Sequence, residues 1–199
     1  MDDEIKKVLS ELRDMKNLFH RVIEIIPRFN ITDPKIIPYG LKPHTRSVSW
    51  IVEQVIVQQA KYNRKYLDIK DVMFDLPDTS LHDCEILNLS NHRYYINIKI
   101  TQARKRQSKN DISAVEKLYR QYSENENYRI IFVVFQFTFR NTEITFIKDK
   151  VHAFSPQFLP IYVNPRNDKI QAFYYADHQL RSRENFLKEL KHQSRSISL

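Results

Sequence analysis

Apolar residues recur at three- and four-residue intervals through residues 5–26. Ile5, Leu9, Leu12, Phe19, Val22 and Ile26 form one stripe, with Met15 and Leu18 beside it. That period predicts an amphipathic helix over residues 2–26. Its stripe can pack on the chain's own core, the commoner arrangement, or on a second copy. Pro27 ends the helix, and Pro34, Pro38, Gly40 and Pro43 mark 27–47 as an irregular connection. A second helix is predicted over 48–62 (VSWIVEQVIVQQAKY), with serines at its start to cap it. Residues 64–82 are mixed, with a turn at Leu76-Pro77-Asp78.

The period then shortens to two. Residues 83–89 (DCEILNL) and 94–101 (YYINIKIT) read as strands joined by a turn at Ser90-Asn91-His92, which makes a β-hairpin. Asn110-Asp111 caps a third helix over about 111–124, with Ile112, Val115, Leu118, Tyr119 and Tyr122 on one face. The nearly continuous apolar run at 129–137 (RIIFVVFQF) suits a strand covered on both faces. A turn at Arg140-Asn141 leads to a partner strand at 143–147. Two further strands at 158–163 and 169–175, a helix over about 178–191 and a polar tail follow. The succession of helix, hairpin, helix and buried strand predicts an α/β fold of the α+β type, a mixed sheet flanked by helices.

At 199 residues the chain is expected to form one domain. It divides into an N-terminal helix and connection (1–45), a core (46–150) and C-terminal strands and helix (151–199). Gly40 is the sole glycine, where average usage would give ~14. Glycine-rich phosphate loops and a glycine-bearing nucleophile elbow are therefore excluded. The single Cys84 excludes a disulfide framework or a multi-cysteine zinc site. No run approaches the ~18 apolar residues of a membrane span. The start, MDDEIKK, lacks the apolar run of a signal peptide, so a soluble protein of a reducing, cytoplasmic compartment is expected. A formal net charge of +8 suits a polyanionic partner, most simply nucleic acid, or a merely solvated basic surface.

Glu53 projects from a largely apolar helix face that holds Trp50, Ile56, Val57 and Ala60. A carboxylate in such surroundings needs a cation, a hydrogen-bond network or a metal ion; Arg46 is one possible partner. In the hairpin, pairing Leu89 with Arg93 sets Asp83 opposite Lys99 and Glu85 opposite Asn97. Asp83, Glu85, Asn97 and Lys99 would then share a polar patch backed by Ile96, Ile98 and Ile100. A slip of one residue would break the patch, and ordinary cross-strand ion pairs would also explain it. An acid on a helix, an acid opening a hairpin and Asn-x-Lys on the next strand form the set that divalent-metal phosphodiesterases use.

On these residues the chain resembles the PD-(D/E)xK nuclease superfamily, and within it the type II restriction endonucleases. The resemblance spans about residues 46–137, with Asn97-Ile98-Lys99 in place of (D/E)-x-K. It implies a restriction-endonuclease-like core and a cytoplasmic enzyme of a prokaryotic cell. It implies Mg²⁺ as cofactor, with Mn²⁺ as a substitute. Asp83 would ligate the metal, with Glu53 as a supporting acid and Asn97 and the Ile98 carbonyl as further ligands. Lys99 would act on the attacking water. Asn97 is neutral where the pattern has an acid. A literal Pro77-Asp78 also precedes the hairpin, but it lies in a turn, and Asp83 is preferred. His82, Asn91 and His92 do not have the spread of a His-Asn-His nuclease.

Arg104, Lys105, Arg106 and Lys109 follow the second hairpin strand, after Gln102. Lys61, Arg64 and Lys65 leave the Glu53 helix. Two basic exits beside an acidic centre suit a double-stranded DNA backbone. A homodimer is expected, because two symmetric sites cut a palindromic duplex. The alternatives are a structure-specific repair or recombination nuclease and a catalytically dead DNA-binding module.

Overall fold

The computed structural model describes residues 2–40, 45–77, 79–103 and 109–194. The elements run α1 (Asp3–Ile25), β1 (Arg28–Asn30), α2 (Thr45–Tyr62), β2 (Ile69–Met73), β3 (Cys84–Asn88), β4 (Arg93–Gln102), β5 (Asn110–Ala114) and α3 (Val115–Glu124). They continue with β6 (Ile130–Arg140), β7 (Glu143–Phe154), a short 3₁₀ turn (Pro156–Phe158), β8 (Tyr162–Asn164), β9 (Lys169–Ala172) and α4 (Arg183–Gln193). Six strands form a mixed sheet in the order β1-β7-β6-β4-β3-β2. Only β4 and β6 are parallel, and the segment between them, β5 and α3, is the crossover such a pair requires. A smaller antiparallel sheet has the order β5-β9-β8.

The sheet separates two apolar layers. Ile96, Ile98 and Ile100 of β4 lie level with Ile131, Val133 and Phe135 of β6 and pack with α1 and α2. The opposite face carries Ile130, Phe132 and Val134 beneath α3, α4 and the small sheet. β6 is buried through residues 130–135, as its uninterrupted apolar run requires. α1 is capped by the Asp2 carboxylate, which accepts from the Glu4 N–H at 3.1 Å. Its stripe, from Val8 to Ile23, is buried against its own sheet, chiefly on β7. Arg183, at the start of α4, ties α3 down. Its guanidinium donates to the carbonyls of Tyr122, Asn125, Glu126 and Tyr128 and lies 4.8 Å from the Tyr122 ring centre.

Six expectations are revised. The strand expected at 158–163 is reduced to β8, with Phe158 in the 3₁₀ turn, and the helix expected over about 178–191 is α4, which starts only at Arg183. The connection after α1 contains β1, an edge strand beside β7. The mixed stretch after α2 contains β2, paired to β3. Residues 110–114 form a strand against β9, because Ile112 and Ser113 must reach the second core before α3 can begin. β7 runs past Ile147 to Phe154. Its exposed Lys148-Asp149-Lys150 sits where the pairing shifts from Phe137–Phe146 to Phe135–Val151, so the charges lie at a bulge that sequence periodicity reads as an end.

Candidate active site

The hairpin sets the geometry. Leu87 pairs with Arg93, Ile86 with Tyr94, Glu85 with Tyr95 and Cys84 with Ile96. Asp83 departs from this register: its N–H donates at 2.8 Å to the carbonyl of Ile96, the residue already paired with Cys84. Glu85 therefore faces Tyr95 rather than Asn97, and Asp83 lies past the end of the pairing, bonded to Ile96 and Ile98, rather than opposite Lys99. The cause is the turn. Asn91 takes the left-handed conformation (φ 61°), and the Asn88 side chain accepts from the His92 N–H at 2.8 Å. The bend thus centres on Ser90, one residue earlier than expected, and each partner moves by two. An even shift preserves the faces of the paired residues, so Asn97 and Lys99 stay on one side of β4, while Asp83 lies at its edge.

Glu85 leaves the group. Its carboxylate accepts from Arg93 at 2.7 Å and meets His82 Nε2 at 3.2 Å. The Arg93–Glu85 pair is a cross-strand ion pair of the kind the plainer reading of the hairpin anticipated.

β3 pairs with β4 no further than Cys84, so beyond Ile96 this edge of β4 has no strand beside it among the described residues. Asp83 occupies that gap, and its Oδ2 accepts from the Ile98 N–H at 2.6 Å. In a paired strand a residue's N–H and C=O point to the same side, so the Ile98 carbonyl faces the same gap. α2 crosses the adjoining Ile face and brings Glu53 to the opening. Glu53, Asp83, His82, Trp50, Phe74 and Pro77 are among the residues lining an open cleft of about 250 Å³ there.

The charges are coupled. Burial, then the negative charge of Asp83, pushes the Glu53 carboxyl up to about 7, with Lys99 opposing. Burial also holds Asp83 above its ordinary value, while Lys99, the Ile98 N–H and His82 pull it down. Lys99 lies with its Nζ 5.7 Å from the Phe132 ring centre. Glu53, Asp83 and Lys99 therefore form one electrostatic unit assembled from a helix, the start of a hairpin and the strand it pairs with.

Asn97 sits deeper. It is 7% exposed, and its Nδ2 donates to the Leu81 carbonyl at 2.8 Å. That bond fixes the amide's orientation and leaves Oδ1 buried without a hydrogen-bond partner among the described residues. An ionised aspartate could not make this bond. The neutral residue thus tethers the backbone just before Asp83, a role its place in Asn-x-Lys does not reveal.

The basic residues divide. Gln102 ends β4 at the cleft end of the sheet, and the connection holding Arg104, Lys105 and Arg106 lies outside the described residues, as does Asp78. Lys109 is exposed, with its Nζ 3.5 Å from the Tyr162 ring centre. Lys61 reaches across to Asp71 at 3.7 Å. Arg64 and Lys65 precede β2, whose Ile69 pairs with Asn88 next to the hairpin turn. They thus lie at the far end from Asp83 and do not flank the acids as expected.

No known family profile matches the chain, and no curated protein sequence does. Among solved structures, the NlaIV restriction endonuclease superposes over 94% of this chain and 78% of its own, with a TM-score of 0.55 at 12% identity. With its mixed sheet and flanking helices, this chain has a restriction-endonuclease-like fold.

Proposed function

We propose that the chain is a metal-dependent endonuclease that hydrolyses phosphodiester bonds of double-stranded DNA at a specific sequence, as type II restriction enzymes do. The observation that carries this reading is the meeting of Glu53, Asp83 and Lys99 at the open edge of β4, on a restriction-endonuclease-like sheet.

The donor set fits Mg²⁺. Among the described residues no three His, Cys, Asp or Glu side chains gather as a metal-binding group. Mg²⁺ does not require one, since it is commonly held by one or two carboxylates with waters and substrate phosphate. Asp83 and Glu53 supply the carboxylates. The Ile98 carbonyl and the partnerless Oδ1 of Asn97 supply neutral oxygens. When bound, Mg²⁺ acidifies water and neutralises charge on the phosphate; Mn²⁺ suits the same oxygens.

The chain's own groups do the rest. The Ile98 N–H holds the Asp83 carboxylate in place. The Lys99 ammonium orients the attacking water and meets the charge that grows on the phosphate. The Leu81–Asn97 bond keeps the segment before Asp83 from moving away from β4. A homodimer would place two such centres on the two strands of a palindromic site.

The test is incubation of methylation-free plasmid and phage DNA with Mg²⁺, Mn²⁺ or EDTA. Discrete fragments are expected with either metal and none with EDTA. Asp83→Ala and Lys99→Ala should each lower the rate by roughly 10²–10³-fold, the effect of losing one such group. The buried neutral amide of Asn97 favours one rival, a DNA-binding module without catalysis. Tight DNA binding with no cleavage under either metal would select it.

A further inference from the structure

The helix that delivers Glu53 carries a second feature at the same cleft. α2 buries Val52, Ile56, Val57 and Ala60 against the sheet, yet Trp50 remains 68% exposed. Its sequence spacing had placed it on the apolar face. Trp50 precedes Glu53 by one helical turn, so the two side chains are neighbours on the helix surface. Both line the cleft that holds Asp83. The cleft therefore joins two carboxylates to an exposed aromatic surface. Trp50 is the chain's one tryptophan.

On the nuclease reading above, on which this step rests, a phosphodiester sits at Glu53, Asp83 and Lys99. The nucleotide on one side of it then falls beside the indole. A nucleotide offers a sugar edge and a flat base, which an indole covers regardless of base identity. We infer that Trp50 is a substrate-contacting residue that packs on the sugar and base of the nucleotide adjoining the scissile phosphate. It holds that nucleotide in register with the acids and contributes binding without charge.

The test uses a short fluorescein-labelled DNA duplex of randomised sequence, with Ca²⁺ replacing Mg²⁺ and a gel to verify that the duplex stays intact. Anisotropy of the label reports binding. Intrinsic emission, excited at the red edge where the 11 tyrosines do not absorb and measured with unlabelled duplex, reports Trp50 alone. The expected result is quenching of Trp50 emission that saturates with the anisotropy. Trp50→Ala should weaken binding by about tenfold and Trp50→Phe should restore most of it, with melting temperatures unchanged. The slope of log affinity against log salt should stay that of the wild type, because no phosphate contact is lost.

Binding with unchanged emission and a fully competent Trp50→Ala overturns the inference and leaves the nuclease reading standing. Emission that shifts with protein concentration alone also overturns it, by assigning the indole to contact with a second copy. Absence of binding by anisotropy overturns both.

Discussion

Glu53, which lines the cleft, and Asn97, which is buried in β4, meet opposite demands. Glu53 is partly buried beside a second carboxylate and titrates near 7. Its folded pKa lies above the unfolded value near 4.5, so its protonated form favours folding and its ionised form opposes it. Stability is full below about pH 4.5 and declines as pH rises through about 7. Glu53→Gln should therefore raise the melting temperature at pH 8 and leave it unchanged at pH 4. The gain should be on the order of 1–2 kcal/mol, once solvent screening of a partly exposed group is allowed for. Mg²⁺ should stabilise the wild type at pH 8 by ligand linkage and fail to stabilise Asp83→Ala, a readout of metal binding independent of cleavage. Asn97→Asp tests the opposite case. It removes the donor to Leu81 and sets a buried carboxylate against that carbonyl. It should cost about 2–4 kcal/mol at pH 8. The deficit should shrink at pH 5, where the new acid is protonated, and Mg²⁺ should recover part of it. Thermal melts across pH, with and without the ion, check all three.

At the scale of elements, what the sequence made legible was whatever rests on periodicity. α1, α2, the hairpin and β6 lie close to where their spacing predicts. Glu53, Asp83, Asn97 and Lys99 were legible as a group because the order of helix and strands places them together. β1, β2 and β5 were not, since short strands at sheet edges carry too few residues to show alternation. The hairpin register was missed by two because one backbone angle decided it. Asn91 is among the residues that accept a positive φ, but nothing in the run Ser90-Asn91-His92 says which of them must. Asn91→Gly should keep the register and the stability. Asn91→Ala should lower stability by about 1 kcal/mol, the cost of a left-handed alanine. Chemical denaturation of the two variants measures the difference. The exposure of Trp50 was hidden for another reason: helical spacing names a face but not where the covering sheet ends.

For the whole molecule the question is where the surplus of eight positive charges acts. Glu53 and Tyr62 are separated by ~13 Å of helix axis, at 1.5 Å per residue. Arg64 and Lys65 lie beyond Tyr62, on the side where Lys70 donates to Asn91 of the hairpin turn at 2.6 Å. β4 leaves the sheet in the other direction, past Lys99 to Gln102, and the run of Arg104, Lys105 and Arg106 follows it. On the proposed reading, Arg104, Lys105 and Arg106, which follow β4 in sequence, are expected to contact a duplex whose phosphate lies at Asp83, whereas Arg64 and Lys65 are not. Each phosphate contact adds about 0.9 to the slope of log affinity against log salt. Replacing Arg104, Lys105 and Arg106 by alanine should lower that slope by about 2–3. Replacing Arg64 and Lys65 should change it by less than about 1. Anisotropy titrations over a range of salt concentrations separate the two. Equal losses from both sets would mean that the duplex runs along the hairpin to its turn, and the path of DNA over the sheet would have to be redrawn in that direction.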